Sequence, residues 1–154
     1  MTINKMTPKT SRRQSDGEQS GASEINEYEE KRKLLHEITQ DTRFDLIQTI
    51  LMHPDQLPSL NEVEYMHPDR SKATLREHLE KLCSLGIVDK LKLPKEKQTR
   101  DSPKVFYGIS DQGRDILSEF GLLDVEDTLQ YLYENMEKSD KIKRYEDAPR
   151  PSRD

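Results

Sequence analysis

The residue types that most often do chemistry are few in this sequence, and their spacing forms no reactive arrangement. A single Cys83 and four scattered histidines show none of the close spacings that bind zinc or build a metalloprotease site. The six glycines form no phosphate-binding loop, and no GxSxG nucleophile motif occurs. The sequence therefore predicts a protein that is not an enzyme and that holds no metal or other cofactor.

The chemical signal that stands out is a concentration of positive charge in residues 70–104. This segment has ten Lys and Arg residues against five Asp and Glu residues, so it carries +5 in a chain whose net charge is −5. Basic side chains grouped in this way within an acidic protein are typical of a surface that binds phosphate groups. The ten residues are Arg70, Lys72, Arg76, Lys81, Lys90, Lys92, Lys95, Lys97, Arg100 and Lys104.

Composition indicates one domain with polar ends. The chain has 154 residues, of which 31% are hydrophobic and 36% are charged. No apolar run approaches the roughly 18–20 residues of a membrane helix, and the N-terminus lacks the apolar segment of a secretory signal. Because one cysteine cannot form an internal disulfide, the sequence predicts a cytoplasmic location.

The spacing of hydrophobic residues changes along the chain from a helical repeat to strict alternation. This change predicts which helices and strands carry the basic residues. A helical stripe of leucines begins after Ser71 and ends before Gly86, which has the position of a left-handed C-terminal cap. Alternating residues then predict strands over 87–93 and 105–109, joined by a polar loop over 94–104. The expected helix caps are Asp41, Ser59, Ser71, Ser110 and Asp124, and the stripe is Leu75, Leu79, Leu82 and Leu85.

These elements predict a mainly α fold with a small β-hairpin. The order of helices and strands is that of a winged helix-turn-helix with extra N- and C-terminal helices and disordered tails. We expect a disordered arm over 1–24, an N-terminal helix over 25–40, the winged helix-turn-helix domain over 41–123, a C-terminal helix over 124–138 and a charged tail over 139–154.

Two stretches resemble winged-helix transcription regulators, most closely the ArsR/MarR-like type common in archaea. Residues 71–82, SKATLREHLEKL, with LGIV at 85–88, resemble the recognition helix, and residues 105–114, VFYGISDQGR, resemble the second wing strand and the next helix. The resemblance covers about residues 41–123 and implies binding to double-stranded DNA. Metal-sensing ArsR proteins carry a Cys pair in the helix before recognition; residues 60–66 contain no cysteine, which favours a regulator without metal.

Two sets of candidate site residues follow. The DNA-binding set lies on the recognition helix, about residues 71–85, and on the basic wing, about residues 94–104; it comprises Ser71, Lys72, Ala73, Thr74, Arg76, Lys95, Lys97, Arg100 and Lys104. The dimerisation set is a heptad-like seam in the C-terminal helix and comprises Val125, Leu129, Leu132 and Met136. This helix either packs on its own domain or pairs across a two-fold axis with Tyr131 and Tyr133 enlarging the interface; we favour the homodimer.

The leading hypothesis is a sequence-specific DNA-binding transcription regulator. The alternative is a winged-helix module for protein–protein contact in a transcription or replication assembly, without DNA affinity of its own. The +5 segment favours the first, while Glu77 and Glu80 on the exposed side of the recognition helix are the features that support the second.

Overall fold

The computed structural model describes residues 15–153, which form helices and one two-stranded antiparallel hairpin. In chain order the elements are α1 Ser15–Ile38, α2 Asp41–Met52, α3 Leu60–Met66, α4 Lys72–Ser84, β1 Val88–Lys92, β2 Val105–Ile109, α5 Asp111–Glu119, α6 Glu126–Glu134 and α7 Asp140–Asp147. The predicted fold class, mainly α with a small hairpin in a winged helix-turn-helix arrangement, is confirmed.

Helix α1 begins earlier than the sequence predicted. It starts at Ser15, although residues 15–24 were expected to belong to a disordered arm; residues 1–14 of that arm lie outside the described residues. Low apolar content predicts disorder for these residues. A helix is nevertheless possible there, because it is held by backbone hydrogen bonds and does not need an apolar face. An ion pair between Glu29 and Arg32, 2.9 Å apart and one turn from each other, supports this polar helix. Of the described residues, 15–37 belong to one compact unit and 38–153 to a second.

The core of the second unit is built from the apolar stripes of α2 and α4 and from the hairpin. Leu75, Leu79 and Leu82 are fully buried, as their helical spacing predicted, whereas Leu85 at the end of the stripe is half-buried. They pack with a second set of buried side chains: Leu46, Ile47, Ile50, Val63, Ile87, Phe106 and Ile109. Burial of each such side chain contributes about 1.5–3 kcal/mol, which makes this packing the main stabilising term.

Short polar side chains set the helix starts. Ser59 and Glu62 form the predicted capping box of α3, and the Ser71 hydroxyl accepts the backbone N–H of Thr74 at 3.1 Å. The cap of α2 differs from the prediction: the Gln40 side chain accepts the N–H of Arg43, and Asp41 is the first helical residue. An acid at this first position is favourable because it faces the positive end of the helix dipole.

The turn between α3 and α4 is held against α2 by two side chains of the turn. His67 bonds the Thr49 hydroxyl at 2.8 Å, and Arg70 forms an ion pair with Asp45 at 3.1 Å. Arg70 also approaches the other ring nitrogen of His67, at 3.4 Å. Because Thr49 and Asp45 both lie in α2, these contacts fix the angle at which α4 leaves the turn.

The hairpin pairs β1 with β2 in a continuous antiparallel register, with Val88 opposite Ile109 and Lys92 opposite Val105. Gly86, with a φ of +79°, makes the left-handed turn that joins α4 to β1. The Ser110 hydroxyl donates to the carbonyl of Gly86 at 2.7 Å, so the residue that caps α5 also closes the base of the hairpin.

The C-terminal region departs from the prediction in two ways. Helix α6 begins at Glu126 without a side-chain cap, so Asp124 is not its cap residue. Residues 140–147, expected to fray, form α7, whose start is capped by Ser139 and whose Ile142 is fully buried. A high overall charge concealed this helix, because one buried apolar residue and one capping serine are enough to dock a short helix on an existing core.

We expect Gly113→Ala to destabilise the protein by about 2 kcal/mol or more, because an added Cβ would lie 2.2 Å from the carbonyl oxygen of Ile87. That oxygen is fixed by the N–H of Ser110 at 2.9 Å and cannot retreat freely. Thermal unfolding measures the effect. Gly21→Ala is the control: its Cβ would meet nothing within 4 Å, and alanine favours a helix. A Gly113→Ala protein that melts at the wild-type temperature would contradict this packing.

We expect stability to fall as the pH is lowered from about 7.5 to about 5.5. Burial, together with the nearby charge of Arg70, lowers the pKa of His67 below its ordinary value of about 6.5. The folded state therefore binds this proton less readily than the unfolded state, and the stabilisation present above pH 6.5 is lost as the pH falls through the folded pKa. His67→Gln should reduce the pH dependence of thermal unfolding, and an unchanged dependence would contradict the assignment.

Candidate nucleic-acid interface

The exposed face of α4 begins at its first turn. Ser71, Lys72, Ala73 and Arg76 are exposed and Thr74 is half-buried, whereas the buried residues of this helix are Leu75, Leu79 and Leu82. The side chain of Lys72 is 75% exposed and lies 3.8 Å from Glu64, a distance at which water competes effectively for both charges. Two of the predicted DNA-binding residues, Lys72 and Arg76, are therefore cations on the exposed side of this helix.

The hydroxyls of Ser71 and Thr74 bond to each other within the cap. The Ser71 hydroxyl accepts the Thr74 N–H and donates to the Thr74 hydroxyl oxygen at 2.9 Å. This bond leaves Thr74 with its own hydroxyl proton and its methyl group to offer to a ligand.

The wing loop presents its cations from a well-anchored base. Leu93 at the end of β1 packs with Leu57 and Phe106 in a buried cluster, and the N–H of Leu93 donates to the carbonyl of Lys104 at 2.9 Å. From this base the loop carries three exposed cations besides Lys104: Lys95 and Lys97 in a short 3₁₀ turn, and then Arg100.

Lys104 has a different environment from the other wing cations. Its ammonium group donates to the backbone carbonyls of Thr99 at 3.1 Å and Ser102 at 3.3 Å. It therefore stabilises the loop that carries Arg100, while its charge still adds to the wing.

Acidic residues neutralise part of the exposed surface. Lys90 of β1 forms an ion pair with Glu80 of α4 at 2.9 Å, which ties the wing to the helix. Glu80 is thereby used within the protein, whereas Glu77 stays exposed one turn from the start of α4. Of the predicted DNA-binding cations, Lys72 and Arg76 on α4 and Lys95, Lys97 and Arg100 on the wing thus stay exposed.

Two further titratable side chains lie on α4, His78 and Cys83, and burial shifts the pKa of both. Burial, and then the charge of Arg43, lowers the pKa of His78, whose ring lies 3.2 Å from the Arg43 guanidinium. Burial raises the pKa of Cys83 to about 11, so its thiol is a poor nucleophile. Within residues 15–153, no three His, Cys, Asp or Glu side chains are grouped in a way that could hold a metal ion.

The residues of the predicted dimerisation seam differ in exposure. Val125 and Leu132 are 48% and 56% exposed, while Leu129 and Met136 are half-buried. Of the two flanking tyrosines, Tyr131 is 64% exposed, but Tyr133 is buried in its own domain, so the expectation that Tyr133 enlarges a dimer interface is wrong.

Helix α6 docks in its own domain mainly through polar residues. The Gln130 amide donates to the carbonyls of Leu51 and His53, which end α2 and lack helical partners. Glu126 pairs with Arg114 of α5 at 2.9 Å and also accepts from Gln56. Helix α6 is held in its own domain by these contacts, while Val125 and Leu132 remain exposed.

Sequence reasoning missed a buried polar cluster made by Arg150. Its guanidinium donates to the Glu62 carboxylate at 2.6 Å and lies over the ring of Phe106 at 5.1 Å. His53 donates to the same carboxylate at 2.7 Å, because its other ring nitrogen accepts the N–H of Asp55. The proline-flanked position of Arg150 was the available signal, since Pro149 and Pro151 fix the backbone on either side of it.

The ionised state of Glu62 follows from its partners. Burial acts to raise its pKa, but the hydrogen bonds from His53 and Ser59 and the charge of Arg150 outweigh burial, and the pKa is lowered overall. A buried carboxylate of this kind anchors α3, the helix that precedes α4.

None of the helices among residues 15–153 has the length and apolar character that crossing a membrane requires. No protein-family model matches the chain, and no curated protein matches it.

Comparison with solved structures supplies a relative. A structure from Halomicrobium mukohataei, described as a protein with a GntR superfamily winged-helix-turn-helix domain, matches with a TM-score of 0.75 and 31% sequence identity. The match covers 84% of this chain and 91% of the other. It does not confirm the narrower ArsR/MarR-like type. With a shared fold, this identity and this coverage, the chain belongs to the GntR superfamily of winged-helix-turn-helix proteins.

Proposed function

We propose that the protein is a sequence-specific transcription regulator that binds double-stranded DNA through α4 and the wing. The observation that carries the proposal is the set of exposed cations on these two elements, Lys72 and Arg76 on α4 and Lys95, Lys97 and Arg100 on the wing. In winged helix-turn-helix proteins the second helix of the motif enters the major groove, whose width admits a helix. The proposal places the protein in the cytoplasm, and it retains the ArsR/MarR-like resemblance for residues 41–123.

The first turns of α4 offer groups of two kinds to base edges. Arg76 can donate two parallel hydrogen bonds to a guanine, which is the commonest specific contact in the major groove. The methyl groups of Ala73 and Thr74 suit the methyl group of a thymine. Lys72, at the helix start, is placed to bind a phosphate beside the groove.

The wing cations are suited to phosphate contact, which sets affinity rather than sequence. Lys95, Lys97 and Arg100 are all exposed on one loop, and long flexible side chains neutralise phosphates without a fixed geometry. In an acidic protein such a local positive surface also orients the bound DNA, because the rest of the chain carries a charge of −10 and repels DNA from the other surfaces.

The proposal includes a homodimer in which the outer face of α6 pairs with that of a second copy. Val125, Tyr131 and Leu132 expose large apolar side chains on this face. Removal of such surface from water favours association, and two-fold symmetric regulators bind two half-sites about one helical turn apart.

We expect replacement of Lys95, Lys97 and Arg100 by Ala to lower the salt dependence of duplex binding. Each phosphate contact releases about 0.9 counterion, so the slope of log affinity against log salt should fall by about 2.7 while the ranking of DNA sequences stays the same. Mobility-shift titrations with genomic fragments at several salt concentrations measure this slope. The control replaces Lys31, Arg32 and Lys33 of α1 by Ala, an equal change in net charge, and should keep the wild-type slope.

Failure of the wild-type protein to bind any duplex would overturn the proposed function. It would favour the alternative, a winged-helix module that contacts other proteins. An unchanged slope in the wing variant would remove the wing from the interface.

For the homodimer, we expect the wild-type protein to sediment as a dimer at micromolar concentration and the Val125→Glu/Leu132→Glu variant to sediment as a monomer. Both side chains are exposed in the single chain, so the variant should keep the wild-type melting behaviour apart from any contribution of association. Asp127→Lys, which changes an exposed charge on the same helix, is a control for charge alone. A wild-type protein that stays monomeric at high micromolar concentration would contradict the homodimer.

A further inference from the structure

Helix α7 lies beside the helix-turn-helix, although it comes last in the chain. It packs on α3, with Ile142 fully buried at the contact. Lys141 and Tyr145 of α7 line a surface depression together with Lys72 and Glu64. The first residue of α4 and the first turn of α7 therefore border the same depression.

Helix α7 also borders the wing. Arg144 and Tyr145 line a second depression together with Asp101, Ser102 and Pro103 of the wing loop. A third depression joins Arg100 and Lys104 of the wing to Leu60 and Asn61 at the start of α3. These three depressions follow one another around α3, so cations of α4, α7 and the wing lie along one continuous path.

The charges along this path have a positive excess. The cations are Lys72, Arg100, Lys104, Lys141 and Arg144, and the acidic residues are Glu64, Asp101 and Asp147. Lys141 and Arg144 are both exposed, and neither forms an ion pair with another residue in the part of the chain that the structure describes. Their charges are therefore available to a ligand.

The position of α7 is held rigidly from both of its ends. Ser139 caps its start, and Tyr133 donates to Glu146, which also pairs with Lys138 at 3.3 Å. Beyond its end, Arg150 donates to the carbonyls of Tyr145 and Ala148 and reaches into the core to Glu62. A helix fixed in this way presents its cations without a large ordering cost on binding.

We propose that α7 is a third DNA-contacting element, in which Lys141 and Arg144 bind phosphates of the duplex that α4 and the wing engage. This inference rests on the proposed function. Duplex DNA is the occupant that the charges indicate, because the cations of α7 continue a path that already joins the α4 start to the wing. The phosphates of one strand form a similarly continuous line of negative charge.

The test is the salt dependence of duplex binding by Lys141→Gln/Arg144→Gln, in which both charges are removed and side chains favourable to a helix remain. We expect the slope of log affinity against log salt to fall by about 1.8, with the sequence ranking unchanged. Lys143→Gln is the matched control, because Lys143 is exposed on α7 but lines none of the three depressions; its slope should equal that of the wild type.

A second variant separates charge from structure. Lys141→Arg/Arg144→Lys keeps both charges and should keep the wild-type slope, which a role limited to packing would not predict. The thermal unfolding of all variants should match that of the wild type, because exposed charges contribute little to stability.

The inference is overturned if Lys141→Gln/Arg144→Gln binds with the wild-type slope. If that happens while the wing variant still lowers the slope, the proposed function stands and only α7 leaves the interface. If the wild-type protein binds no duplex, the inference fails together with the proposed function.

Discussion

The carboxylate of Glu62 is the group on which the arrangement of the other elements depends. It is 1% exposed and accepts hydrogen bonds from the N–H and hydroxyl of Ser59, from His53 and from Arg150. These donors come from the start of α3, the end of α2 and the segment after α7. A charge this deeply buried is tolerated only when its partners are in place, so one side chain requires three separate parts of the chain to meet.

The same cluster determines where the candidate interface lies. Ser59, the cap of α3, also forms an isolated bridge with Phe106 of β2, and the N–H of Tyr107 donates to the carbonyl of Pro58 at 3.0 Å. The start of α3 is thus bonded to the wing, while the turn at its other end is bonded to α2. Helix α4 and the wing are consequently oriented by one short helix of seven residues that is fixed at both ends.

Several local features of this fold were predictable from sequence, whereas the contacts between distant segments were not. The capping box at Ser59 and the leucine stripe of α4 depend on residues three or four positions apart, so their spacing is visible in the sequence. The contact between Arg150 and Glu62 joins positions 88 residues apart, and no periodicity reports it. Helix α6 is the opposite case. Its apolar spacing predicted an interface, but the Gln130 amide donates to the carbonyls of Leu51 and His53 at the end of α2, and this long-range contact was not visible in the sequence.

For the candidate site, the sequence identified which cations lie on α4 and the wing, because residue type and element were both readable. It could not show that the Lys104 ammonium bonds to loop carbonyls, which depends on the folded shape of the loop, or that Glu80 pairs with Lys90, which depends on the packing of β1 against α4. Nor could it place α7 beside α3, because the charged composition of residues 139–154 resembles that of a solvated tail.

The long separation between Glu62 and Arg150 also has a consequence for the order of folding. Closing so long a loop costs conformational entropy before any contact compensates for it, so local elements such as α4 and the hairpin form more readily than the Arg150 contact. During synthesis on the ribosome, Glu62 emerges well before Arg150. The hydrogen bond between the Glu62 carboxylate and Arg150 can therefore form only after the C-terminal segment has been made. Docking of the C-terminal segment is therefore a late event in folding, and a nascent domain reaches its complete form only once residue 150 is free to return to the first helices of the domain.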